Sequence, residues 1–184
     1  MIQIDGSQGE GGGQVLRTSL SLACLMQTPV QMVNIRARRP KPGLQAQHLQ
    51  SVRAAAAISQ ARISGDKPGS QSLYFKPGPL NAGKYRFDIG TAGATTLVLQ
   101  TIFLPLCFAG GVSHIIITGG THVPWSPAYH FLAWHWLPCM QAMGIRAVLT
   151  LERAGFYPPG GGQIQAEIHP VGILASLQWI ERGN

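Results

Sequence analysis

A chain of 184 residues with 45% hydrophobic and 11% charged side chains can bury a core, which excludes the highly charged disordered class. Its 14 Lys and Arg outnumber 7 Asp and Glu, and the net charge of +7 favours polyanionic partners, nucleic acid among them. Cys24, Cys107 and Cys139 have no CxxC spacing, which argues against a zinc framework or a disulfide scaffold and for a reducing, cytoplasmic setting.

In chain order, Ile2 to Asp5 is a short strand, followed by a turn rich in glycine and an apolar helix from Gln14 to Met26. Val30 to Arg36 alternates as a strand, a basic run follows, and Leu44 to Ile58 is an alanine-rich helix. Arg62-Ile63 and Ser72 to Phe75 are strands. The segment 78–84 imitates a phosphate-binding P-loop but has Tyr85 in place of Ser or Thr and leads into alternating residues, so it is expected to be a hairpin turn. The strand Tyr85 to Ile89, the helix Thr95 to Phe108 and the strand His114 to Thr118 come next. The apolar stretch 97–112 is broken by Gln100 and Pro105 and is too short to span a bilayer, so no membrane contact is expected. A helix from Tyr129 to Met143 and strands Arg146 to Leu151 and Gln163 to Ile168 complete the series. The opening MIQIDG lacks the basic and apolar regions of a secretory signal.

The series repeats itself. Arg17 and Gln100, and likewise Cys24 and Cys107, stand 83 residues apart within similar helices. The expected fold is therefore α+β, built of repeated βαβαββ units, each laying two helices on one face of a four-stranded sheet. Residues 1–80 form the first unit and 81–170 the second. Residues 171–184 supply the opening strand of an incomplete third, from Ile173 to Ile180. The uncovered edge of the second unit is a candidate surface for self-association.

Three places carry chemistry. The first is Asp5-Gly6-Ser7-Gln8-Gly9-Glu10-Gly11-Gly12-Gly13, whose five glycines expose backbone N–H groups at a helix start, an arrangement suited to anions. Glu10 would oppose a phosphate there unless a divalent cation bridges the two, so it is a candidate metal ligand. The second is the basic run, in which Arg36, Arg38, Arg39 and Lys41 place four charges in six residues that need solvent or an anion between them. The third is the start of the following helix, where Gln47 and His48 lie within reach of the same end. The six histidines form no metal-binding spacing, and His114 and His135 are expected to pack.

Four ordered segments, IDGSQGEGGGQVLRTSLSLA, IRARRPKPGLQAQHL, GTAGATTLVLQT and GFYPPGGGQI, resemble the RNA 3'-terminal phosphate cyclases. The resemblance runs from Ile2 to Asn184, the first part of a family about twice this length. It implies the repeated units that these enzymes share with EPSP synthases. It also implies an ATP-dependent, ligase-class reaction in which a histidine is adenylated with the help of a divalent metal (Mg or Mn). AMP then passes to an RNA 3'-phosphate, and the 2'-hydroxyl closes a 2',3'-cyclic end. By position, Glu10 matches a metal-contacting carboxylate, and Gln100, Arg17, Gly11, Gly12 and Gly13 match the nucleotide site. Arg36, Arg39, Gln47 and His48 match residues around the substrate phosphate. The family's nucleophilic histidine lies beyond Asn184, so the resemblance implies a fragment inactive by itself. The alternative is a non-catalytic cyclase-like protein that binds RNA in processing or ribosome assembly. Arg38 replaces the family's usual glycine, His122 an acidic or amide residue, and Ala154 an Arg or His.

Overall fold

The computed structural model describes residues 1–178 and 180. Two four-stranded sheets follow one another along the chain. The first comprises β1 (Ile2–Asp5), β2 (Val30–Val33), β3 (Arg62–Ser64) and β4 (Leu73–Lys76), with α1 (Gly13–Met26) and α2 (Ala46–Ser59) between them. The second comprises β5 (Lys84–Asp88), β6 (Ser113–Gly119), β7 (Ala147–Arg153) and β8 (Gly162–Ile168). Its helices are α3 (Thr95–Cys107), then α4 (Tyr129–Phe131), which runs through a π-helical segment (Leu132–Trp136) into α5 (Leu137–Ala142). Strand order is the same in both, β1-β2-β4-β3 and β5-β6-β8-β7. The first pair is parallel and the others antiparallel in each sheet.

The helices form where their apolar spacing directs them. On α1, Leu16, Leu20, Ala23 and Cys24 recur at helical period and are buried against Met32, Leu73 and Phe75 of the first sheet. The helix stops at Gln27, whose left-handed backbone (φ +50°) donates to the carbonyl of Ala23. The small residues of α2 allow burial on two sides: Leu49, Val52 and Ala55 join the first core, while Ala54 and Ile58 join the second. Between them sits α3, packed against α1, α2 and its own sheet, and apolar nearly all round for that reason.

Several expectations change. β2 ends at Val33 because Asn34 and Arg36 take positive φ (+53° each), which extended pairing does not allow. The segment 78–84 is no hairpin, since β4 and β5 belong to different sheets and it links the two. The helix expected from Tyr129 to Met143 contains the π-helical turn, and His135 within it is exposed to solvent. His114 is likewise exposed, as period two dictates for a residue between buried Ser113 and Ile115. The strand expected over Ile173 to Ile180 does not form among the described residues. Val171 and Ala175 donate instead to the carbonyls of Cys107 and Met143, near the ends of α3 and α5 (2.8 and 2.9 Å), and Leu174 packs on the second core. Trp179 and residues 181–184 lie outside the described residues.

Candidate functional site

The turn after β1 is held by Asp5. Its carboxylate accepts the Ser7 N–H (2.9 Å), the Ser7 hydroxyl (2.8 Å) and the Asn34 amide (3.3 Å). The Ser7 backbone bond foremost keeps this carboxyl below its usual range. Asp5 thereby fastens the glycine-rich turn to the start of the basic loop. Gly9 and Gly11 both take φ +58°, open to glycine without strain. No side chain caps α1 at Gly12, so the first amides of the helix remain available to an anion.

Around those amides the chain gathers a cradle. The Arg39 guanidinium lies 3.4 Å from the Glu10 carboxylate and directly over Gly12, where an added Cβ would stand 3.0 Å from Nη2. Gly13 has no side chain because the space is taken by the His48 ring and the Arg17 guanidinium. Arg17 is only 7% exposed; its Nη2 donates to Gln14 Oε1 (2.9 Å) and its Nε has no partner. Burial lowers its pKa to about 10, so it stays charged at neutral pH. His48 Nδ1 is also buried and unpaired. Burial, then the charges of Arg36 and Arg17, push His48 down to about 3, so the ring is neutral at pH 7. Two unsatisfied polar atoms and the guanidinium groups of Arg17 and Arg39 beside one glycine turn are an electropositive arrangement that an anion would relieve.

The other predicted residues are placed differently. Arg36 Nη1 donates to the carbonyls of Lys41 and Gly43 (2.7 Å each) and so braces the basic loop. Gln47 turns towards the second unit, where its Oε1 accepts the Ala94 N–H (3.3 Å). Gln100 is exposed on α3 between two small clefts, of about 150 and 100 Å³; Arg17 lines the larger of these with it. Each is smaller than an ordinary small-molecule pocket, roughly 300 Å³ at least, so neither is large enough to enclose a nucleotide. A larger concavity, about 390 Å³, crosses the open face of the second sheet, where His114 and His169 both approach Glu167, and contains no cradle residue.

A second cluster is not evident from the sequence. Thr121 accepts the Gly155 N–H (2.9 Å) and contacts His122 Nδ1 (2.8 Å), while His122 Nε2 meets His130 Nδ1 (2.8 Å). Phe156 stacks on His122 and Trp134 tilts against His130. Beside it, Trp125 and Tyr157 stand in solvent. The one signal in the sequence is the aromatic residue next to the glycine-rich turn, Tyr157, which by pattern alone passes for loop punctuation.

Among the described residues no three His, Cys, Asp or Glu side chains form a metal-binding group. The lone, 92% exposed carboxylate of Glu10 fits a magnesium-type ion that takes its remaining ligands from phosphates and water.

The fold and the cradle define a duplicated α+β protein with a glycine-rich, electropositive turn at the start of its first helix. The family model for RNA 3'-terminal phosphate cyclase matches residues 8–179. An RNA 3'-terminal phosphate cyclase of Ralstonia nicotianae is 50% identical over 183 residues, covering 99% of this chain and 53% of the relative. One of Methylococcus capsulatus is 52% identical over 172 residues, covering 90% and 48%. EPSP synthase of Acinetobacter baumannii shares the fold alone, with a TM-score of 0.52 at 15% identity over 93% of this chain and 30% of that one. The chain belongs to the RNA 3'-terminal phosphate cyclase family and spans about half the length of the curated relatives it matches.

Proposed function

We propose that this chain provides the phosphate-holding part of an ATP-dependent RNA 3'-phosphate cyclase. ATP, when bound, supplies the adenylyl group that activates an RNA 3'-phosphate for closure by the neighbouring 2'-hydroxyl. The uncapped amides at Gly12 and Gly13 receive phosphate oxygens, Gly11 shapes the turn with its own N–H held by the Gln8 carbonyl (3.0 Å), and Arg17 balances the charge from within the cradle. Arg39 swings between Glu10 and a phosphate, since its bond to Glu10 is long and mostly solvated. Glu10 would hold a divalent ion, Mg or Mn, whose charge would offset that of the phosphates. His48, kept neutral, donates or accepts one hydrogen bond without adding charge. Arg36 acts by fixing the loop that carries Arg39, and Gln47 by holding the second unit against the cradle. A cytoplasmic setting suits both ATP and RNA.

The observation that carries this reading is the convergence of Arg17, Arg39, Glu10 and His48 on the three glycines. The test is titration with unhydrolysable ATP and magnesium, paired with α-labelled ATP and a denaturing gel. Nucleotide binding that Arg39→Ala weakens, without label on the protein, is expected. Absence of any nucleotide binding would refute the cradle. A labelled histidine would refute the placement of the nucleophile outside this chain.

A further inference from the structure

Trp125 is 100% exposed and Tyr157 72% exposed, and both line one open cleft of about 320 Å³. Gln47, Ala92, Gly93, Ala94, Val123 and Pro124 complete its lining. Trp125 also takes φ +64°, a region that bulky residues rarely adopt. A fully solvated indole on a strained backbone gains nothing for the fold, and such strain collects at binding sites. Adjacent residues of α2 connect cleft and cradle, Gln47 facing the first and His48 the second.

We propose that the cleft between Trp125 and Tyr157 is a stacking subsite for the terminal base of a single-stranded RNA 3' end; this rests on the cyclase reading above. Aromatic faces beside a cationic phosphate site are the means by which single strands are held without regard to sequence. Apart from Gln47, whose amide oxygen already accepts the Ala94 N–H, the rest of the lining is small or apolar, with no set of side chains matched to one base, so all four bases are accepted. The net charge of +7 draws the strand in, and the cradle holds its terminal phosphate.

The test compares two hexameric RNAs ending in a 3'-phosphate, one intact and one abasic at its last nucleotide, with binding read by anisotropy. Emission from Trp125 is isolated by difference from Trp125→Phe. The abasic strand is expected to bind roughly 10-fold more weakly to the wild-type chain. Trp125→Ala should abolish that gap while leaving pyrophosphate binding unchanged. Because Trp125 is fully exposed, Trp125→Ala should unfold at the wild-type temperature. Equal affinity for the two strands overturns the proposal, as does a gap that survives in both Trp125→Ala and Tyr157→Ala. Quenching of Trp125 by adenosine but not by RNA assigns the cleft to the nucleotide and also overturns it. A concentration-dependent blue shift without RNA assigns it to a second copy of the chain and overturns it equally. If the base gap stands but a 3'-hydroxyl strand binds as well as a 3'-phosphate strand, the cyclase reading fails and the subsite remains. If 3'-phosphate preference stands without the base gap, the reverse holds.

Discussion

Gly13→Ala isolates the packing that defines the cradle. Gly13 opens α1, where alanine is by propensity the better residue by up to about 1 kcal/mol. The added Cβ would clash with His48 Nε2 and lie 2.6 Å from its Cδ2 and 2.8 Å from Arg17 Nη1. Arg17 has room to withdraw along the cleft beside Gln100. The His48 ring has less, because its far nitrogen is already buried without a partner. Overpacking of this kind costs about 1–3 kcal/mol. Set against the helix gain, a net loss of roughly 1–2 kcal/mol follows, or a fall in Tm of about 2–8 °C for a chain of this size. Pyrophosphate binding, measured by calorimetry, should weaken at least ~10-fold, since both displaced groups face the anion. The double variant Gly13→Ala/His48→Ala should be more stable than the sum of its single changes, because the ring that obstructs Cβ is gone. A Gly13→Ala chain as stable as wild type, binding pyrophosphate within about twofold, would refute the reasoning.

The other predictions concern acid, backbone contact, thiols and the lone carboxylate. His48 refuses a proton in the folded chain until about pH 3, whereas the unfolded chain accepts one near 6.5, so its stabilising effect is complete above pH 6.5 and fades as pH falls towards 3. Urea unfolding should show up to about 5 kcal/mol lost across that window, and a slope equally steep in His48→Gln would contradict the assignment. Gly155→Ala would drive a Cβ into the Gly119 carbonyl and the Gly162 backbone, where nothing can give way, so about 3 kcal/mol or more should be lost in thermal unfolding. Cys24 and Cys107 are buried and their thiols pushed up to about 11 and 12, so iodoacetamide on the folded protein should modify only Cys139 among the three; mass spectrometry decides. Glu10→Gln removes a solvated ion pair and should change stability by less than about 0.5 kcal/mol, yet should abolish the magnesium dependence of nucleotide binding in calorimetry.

The order of elements was legible because each strand and helix keeps its apolar period: the interval of 83 between Cys24 and Cys107 places both in the same turn of equivalent helices. Local backbone conformation was less so. Nothing in the alternation of Val30 to Arg36 marks the left-handed turn at Asn34, which serves the loop and its tie to Asp5 rather than the strand. The π-helical turn is similarly invisible to a 3.6-residue period, and His135 within it is exposed. In the site, the glycines and their charges could be read directly, and at Gly12 and Gly13 the reason is close packing: Arg39, His48 and Arg17 fill the space a side chain would need. The division of labour within the basic loop could not: Arg36 and Arg39 are the same residue type, and only the carbonyls of Lys41 and Gly43 show which one is held within the loop. Trp125 and Tyr157 were hidden because exposure, not residue type, makes them notable.

The two sheets share one frame so closely that β2 and β6 begin at the same interval as α2 and α4. Carried across that frame, Arg39 corresponds to His122 and Gln47 to His130, the imidazoles that bond to each other beside Phe156. The equivalent positions thus carry a charged chemistry in one unit and an aromatic one in the other, on different backbones: Asn34 and Arg36 leave the sheet at positive φ, whereas Ile117 and Gly119 stay paired in β6. Each copy is a natural control for the other. Exchanging residues 37–45 with 120–128, which spares the β6 pairs, would transplant one chemistry onto the other's scaffold, turning an accident of duplication into a means of separating what the segment does from where it sits.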